Sequence, residues 1–145
     1  MLLAESGSLV SRFHTLDSQL QSIGTEIDGN VVSIVNEING LSAAIADANR
    51  SVAEATNQGS GETPNDLLDK RDQMVNRLSE LVSVRTVEQD DGALNVFIGS
   101  SQSLVTGFLA SPLQIVPNEF DSGRAEIAIA SSGVTAVISD NLTGG

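Results

Sequence analysis

Fourteen apolar positions recur in steps of four and three along one stretch: Leu9, Phe13, Leu16, Leu20, Ile23, Ile27, Val31, Ile34, Ile38, Leu41, Ile45, Ala48, Val52 and Ala55. That alternation belongs to a helix lying along partner helices. Its single irregularity is an extra step of four at Ile23–Ile27–Val31, a stutter that locally unwinds a supercoil. A continuous helix over this stretch is about 70 Å long. A chain of 145 residues has little left to cover such a rod. The pattern therefore points to a structural or assembly role rather than to a pocket.

Gly24, Gly29 and Gly40 interrupt the helical pattern, and each costs ~1 kcal/mol against alanine. Asp28-Gly29-Asn30 is the weakest point and coincides with the stutter. The apolar stripe carries on beyond it, so one continuous helix is expected. Asn36 and Asn39 flank Ile38, and polar groups near a seam either fix register or stay solvated.

Asn57-Gln58-Gly59-Ser60-Gly61-Glu62 reads as a loop. Thr63-Pro64-Asn65-Asp66 then has the chemistry of a helix start, with Thr63 as N-cap, Pro64 at the first helical position and Asp66 as the acid of a capping box. The second helix presents Leu67, Leu68, Arg71, Met74, Val75, Leu78, Leu81 and Val82 on one face. A short loop between two helices makes an antiparallel hairpin. Pairing outward from that loop sets Leu81 near Ile38 and Arg71 roughly opposite Asp47. An Arg71–Asp47 ion pair setting the hairpin register is one reading. The other is an arginine whose stem covers apolar surface while its head stays in water.

The second helix is long enough to cover only the C-terminal half of the first. Leu9, Phe13, Leu16, Leu20, Ile23 and Ile27 are left without a partner in this sequence. Burying such side chains is worth roughly 1.5–3 kcal/mol each. A packing helix from outside is expected, and the chain alone is expected to self-associate through its N-terminal helix.

From Val84 the period changes to two. Val84–Gln89 and Ala93–Gly99 bracket Asp91-Gly92, a hairpin signal of the I′ kind. Further strands are expected at Ser103–Val105, Leu113–Val116, Ala125–Ala130 and Val134–Ile138. Turns are signalled by Gly99-Ser100-Ser101, Asp121-Ser122-Gly123 and Ser132-Gly133. The fold class is α+β: a long helical hairpin or coiled-coil rod followed by a small, mainly antiparallel β unit. Residues 1–83 form the rod (helix about 5–57, loop 58–63, helix 64–82), and residues 84–145 a β-rich domain expected to be truncated at its C-terminal end.

Composition narrows the function. Net charge is −12, and the seven basic residues are scattered, so neither nucleic acid nor an anionic membrane surface is an expected partner. There is no cysteine, hence no disulfide framework or thiolate metal site. No apolar run approaches the roughly 18 residues of a membrane span. The N-terminus lacks the basic region and apolar core of a cleaved signal peptide. His14 is the only histidine and stands beside Phe13 near the helix seam. Asp66, Asp69 and Asp72 step along one helical strip without the oxygen-rich loop of a calcium site, and read as a solvated acidic face. Gly59-Ser60-Gly61 has no Gly-Lys-Ser/Thr after it and is not a phosphate loop. No catalytic residue, cofactor or metal site is expected.

Asn65-Asp66-Leu67-Leu68-Asp69-Lys70-Arg71-Asp72-Gln73 is the most telling run in the chain. It is followed by Leu78-Ser79, by Val87-Glu88-Gln89-Asp90-Asp91-Gly92-Ala93-Leu94-Asn95-Val96-Phe97-Ile98-Gly99 and by Leu104-Val105. Upstream lie Val35-Asn36-Glu37-Ile38-Asn39, Ile45-Ala46 and Asn49. Together these resemble the bacterial flagellar hook-associated protein 1 family, the hook–filament junction proteins, over residues 9–109. The resemblance implies an internal fragment of a longer axial protein that joins hook to filament as a ring of subunits. It implies other subunits, the hook protein and a neighbouring hook-associated protein as partners. It also implies an extracellular place on the flagellum, reached by type III export without a cleaved signal peptide. The missing packing helix would come from flanking segments, in particular a C-terminal helix. A coiled-coil interaction module of a signalling or phage-tail protein shares the rod and the alternation, but not the combined motifs.

Overall fold

The computed structural model describes residues 2–59, 64–131 and 134–139. Helix α1 spans Leu2–Asn57 and α2 spans Asn65–Leu81. Seven strands follow: β1 Val84–Glu88, β2 Leu94–Ile98, β3 Gln102–Thr106, β4 Leu109–Ala110, β5 Leu113–Pro117, β6 Ala125–Ser131 and β7 Val134–Val137. The class is the expected α+β. The short β4 is an addition, too brief to leave a period in the sequence.

Helix α1 runs without interruption through Asp28-Gly29-Asn30. Arg71 bonds to Asn49 and Arg77 to Glu37, so residue numbers fall along α1 as they rise along α2, and the pair is antiparallel. Helix α2 starts one residue later than expected. Pro64 takes the N-cap position with ψ 70°, outside the helical region, and no side chain caps the end. Its carbonyl instead accepts from the amides of Leu67 and Leu68. Thr63 lies outside the described residues. The C-terminal end closes when Val82 turns extended and its amide bonds to the Leu78 carbonyl.

The buried face of α1 past Ile34 is turned slightly from the apolar stripe. Val35, Ser42 and Asn49 form one buried row, Ile38, Ile45 and Val52 a second, and Ala46 and Ala53 a third. Ile34 is exposed, and Leu41 and Ala48 are half-buried. Two polar residues thus occupy core positions that a hydrophobic count passes over. Ser42 is accommodated by donating its hydroxyl to the Ile38 carbonyl at 2.6 Å, which satisfies it within its own helix.

Strands β1–β4 form one antiparallel sheet in that order, and β5–β7 a second. Within the first sheet Val96 faces Val105 but Phe97 faces Ser103, which makes Leu104 the extra residue of a bulge. The bulge lets the consecutive Leu104 and Val105 both be fully buried, against the alternation of a regular strand. Arg85 lies across from Phe97 and sets its guanidinium 5.8 Å from the ring centroid. The chain switches sheets at Ser111-Pro112. The Ser111 amide bonds to the Leu104 carbonyl of the first sheet, and the Pro112 carbonyl accepts from Ala130 of the second.

The β1–β2 hairpin differs from the two-residue I′ turn expected. Gln89 and Ala93 close a three-residue loop, Asp90-Asp91-Gly92, with the Gly92 amide bonding to the Gln89 carbonyl. Only Gly92 need be left-handed in such a loop, and its φ is 81°. Asp91 stabilises it by accepting the Ala93 amide at 2.9 Å.

Two compact units are present, Met1–Ser33 and Ile34–Gly145. The β strands share a unit with the C-terminal half of α1 because side chains of that helix bond directly to strand backbone.

Candidate functional site

Two features stand out, one in each unit. In Met1–Ser33, the six residues expected to pack on an absent helix lie along α1. Leu9, Phe13, Leu16, Leu20, Ile23 and Ile27 are each 52–67% exposed. Helical side chains four and three apart share a face, so these six make one apolar stripe. Val10 stands beside it, also exposed.

In Ile34–Gly145, Arg71 is 97% buried, as its 3% exposure gives. Its Nη1 donates to Asn49 Oδ1 at 3.0 Å and to the Gly92 carbonyl at 2.6 Å. Asn49 Oδ1 also accepts the Leu94 amide at 3.0 Å. Asn49 Nδ2 donates to the carbonyls of Leu94 at 2.9 Å and Gly107 at 2.7 Å. One carboxamide thus ties α1 to α2, to β2 and to the β3–β4 turn, with all its hydrogen-bonding capacity used. Arg71 Nε is buried without a partner among the described residues.

This corrects the Arg71–Asp47 pair. Asp47 is exposed, and no ion pair joins it to Arg71 among the described residues. Residues two apart on a helix point to nearly opposite sides, so Asp47 cannot reach the face that Asn49 occupies. The chemistry also favours the amide. Two backbone carbonyls at this place require donors, which a carboxylate lacks. Sequence reading reaches Asn49 only through the family resemblance, because a polar residue has no place in the apolar period. Its spacing of seven from Ser42 and of three before Val52 is the signal that places it on the core face.

Asn39 repeats the device for the second sheet. Its Nδ2 donates to the Leu113 carbonyl at 2.9 Å and its Oδ1 accepts the Leu113 amide at 2.7 Å, as a neighbouring strand would. Asn36, its companion in the sequence, is exposed. Arg77 bonds to Glu37 at 2.6 Å and Glu80 at 2.7 Å on the outside of the hairpin. The bond to Glu37, then that to Glu80, holds the Arg77 guanidinium above its ordinary range.

His14, Asp66, Asp69 and Asp72 are all exposed. Among the described residues no group of three or more His, Cys, Asp or Glu side chains could hold a metal ion. No described helix is long and apolar enough to cross a membrane. What the described residues offer is a buried polar hub and a wet apolar stripe.

A family model for the flagellar hook-associated protein FlgK helical domain matches residues 1–145. The chain belongs to this family. Flagellar hook-associated protein 1 of Escherichia coli strain K12 is 35% identical over 127 residues, covering 88% of this chain and 23% of the relative. The protein of that description from Salmonella typhimurium strain LT2 has the same identity and coverage. Among solved structures, the flagellar hook junction protein FlgK from Burkholderia pseudomallei aligns with a TM-score of 0.74 at 31% identity, over 83% of this chain and 22% of that one. The chain spans less than a quarter of the length of these FlgK relatives. The FlgK match takes in β5–β7, beyond the residues 9–109 over which sequence motifs alone carry the resemblance.

Proposed function

We propose that this chain is a structural segment of a hook–filament junction protein of the bacterial flagellum, and that it works by helix packing rather than by catalysis. The observation that carries the reading is the stripe from Leu9 to Ile27, six large apolar side chains in wet register on a helix. An exposed contiguous apolar face of this kind marks an interaction surface. The names of the FlgK relatives, hook-associated and hook junction proteins, supply the setting.

In this reading the stripe packs on a helix of a neighbouring subunit or of another part of the longer protein. The surrounding partners are other copies of the same protein in a ring, the hook protein and an adjacent hook-associated protein. The site of action is extracellular, reached through the flagellar type III export channel without a cleaved signal peptide. Neither cofactor nor metal has a part. Within Ile34–Gly145, the Asn49–Arg71 hub and the Asn39–Leu113 pair hold two small sheets on a helical hairpin, which suits a rigid component of an axial tube.

Immunogold electron microscopy with antibody against this chain, on flagellated cells of the source organism, tests the proposal. Label confined to the point where hook meets filament is expected. Label distributed along the filament, or retained in the cytoplasm, overturns it.

A further inference from the structure

Asn39 is followed by Gly40, and no other asparagine of the chain precedes a glycine. A glycine after an asparagine brings a reactivity that the bond to Leu113 does not need. We propose that Asn39 is a modification site. Its carboxamide is lost by spontaneous cyclisation onto the Gly40 nitrogen when this part of α1 opens, and the loss unfastens β5 from the helix while the Asn49 hub stays closed.

The step begins when the Gly40 backbone nitrogen attacks Cγ of Asn39. The Cγ–Nδ2 bond breaks, and Nδ2 leaves as ammonia with the Gly40 amide proton. Water then hydrolyses the five-membered imide. Opening of its Cγ–N bond gives aspartate. Opening between the residue 39 carbonyl carbon and the nitrogen gives isoaspartate, whose main chain is one carbon longer. Water is the only co-reactant, and nothing is oxidised or reduced. Glycine favours the attack because it has no Cβ to crowd the nitrogen and turns freely to the angles that ring closure needs.

The fold opposes this step in two ways. Gly40 lies within the uninterrupted α1, where its amide is engaged with the Asn36 carbonyl four residues back. The Asn39 side chain is turned to β5, its Nδ2 donating to the Leu113 carbonyl at 2.9 Å and its Oδ1 accepting the Leu113 amide at 2.7 Å. Cγ reaches the Gly40 nitrogen only after these bonds break, so the contact that attaches β5 also protects the carboxamide. The product cannot remake that contact. A carboxylate accepts but does not donate, so its second oxygen is set against the Leu113 carbonyl and the two-point contact opens. Asn49, which holds the first sheet, is followed by Arg50, whose side chain crowds the attacking nitrogen. The two sheets thus hang on asparagines of unequal durability, and time spent unfolded is recorded at one of them.

Fragmentation mass spectrometry of the 145-residue chain, held at mildly alkaline pH in native buffer and in guanidinium chloride, tests this. In denaturant Asn39 should deamidate ahead of every other asparagine, and Gly40→Ala should abolish that preference. In native buffer the reaction at Asn39 should be at least about a hundredfold slower, set by the fraction of molecules open. Asn39→Asp, which installs one product directly, should speed hydrogen exchange of the Leu113 amide about tenfold while leaving Leu94 protected. Equal rates at Asn39 in the two buffers, or no preference for Asn39 in denaturant, overturn the protected site. Unchanged exchange at Leu113 in Asn39→Asp, or protection lost at Leu94 as well, overturns the selective release. The junction reading stands apart from these results, because cellular labelling decides it.

Discussion

The Asn49 carboxamide and the Arg71 guanidinium meet 3.0 Å apart in a buried place, with no carboxylate among the described residues paired to the arginine. The charge is spread instead over the Asn49 oxygen and the Gly92 carbonyl. Carbonyl dipoles offset part of the desolvation of a buried guanidinium. Removing Asn49 leaves Arg71 buried with the Gly92 carbonyl as its remaining partner, and removing Arg71 leaves one lone pair of Asn49 Oδ1 unfilled.

Asn49→Ala strips partners from Arg71, from both backbone groups of Leu94 and from the Gly107 carbonyl. A loss of about 3–5 kcal/mol in urea-unfolding stability is expected. A double-mutant cycle on Asn49→Ala and Arg71→Ala should return a coupling energy of about 1–3 kcal/mol. The same cycle on Asp47→Ala and Arg71→Ala should return none, because Asp47 is exposed and lies off this face. Equal coupling in the two cycles would refute the hub.

The elements were legible where a period was strong and the residue chemistry agreed with it. The stripe from Leu9 to Val52 placed α1, and the alternation Leu94, Val96, Ile98 placed β2. The hub was hidden because Asn49 and Ser42 are core residues by position and polar by type. A hydrophobic count rejects such residues, and only their tertiary hydrogen bonds justify the burial. The change of period at Val84 marks where strands begin, but not which helix their backbone is tied to. Exposure of Leu9 through Ile27 was legible because it follows from chain length: a helix of 17 residues cannot cover one of 56.

Asn39 should act locally where Asn49 acts globally. Its two bonds both go to Leu113, at the start of β5. Asn39→Ala is expected to speed amide hydrogen exchange at Leu113 with a loss of about 1–2 kcal/mol, leaving Leu94 protected. Asn49→Ala, measured in the same way, should expose Leu94. Loss of protection at Leu94 in the Asn39 variant would show that the two sheets do not depend on separate side chains.

Two glycines should respond to alanine with opposite sign. Gly40 is helical and exposed, and an added Cβ meets nothing within 4 Å. Gly40→Ala is expected to stabilise by about 0.5–1 kcal/mol through helix propensity. Gly92 is left-handed at φ 81°, and its carbonyl is an acceptor for Arg71. Gly92→Ala is expected to cost about 1–2 kcal/mol from backbone strain. Thermal unfolding of the two variants decides it, and a stabilising Gly92→Ala would contradict the left-handed turn.

Arg77 and Leu78 are adjacent in α2 and should differ sharply in what they hold. Arg77 makes two short ion pairs, yet its side chain is 50% exposed. Exposed pairs are screened by water and salt, and ordering the side chains opposes them. Arg77→Ala is therefore expected to leave the urea midpoint nearly unchanged, the small shift vanishing at 1 M salt. The Leu78 side chain makes no polar contact but is completely buried. Leu78→Ala opens a cavity beside α1 and should cost about 2–5 kcal/mol, independent of salt. Urea titrations at low and high ionic strength separate the two effects. A large, salt-sensitive loss from Arg77→Ala would mean that charge rather than burial fixes α2 against α1.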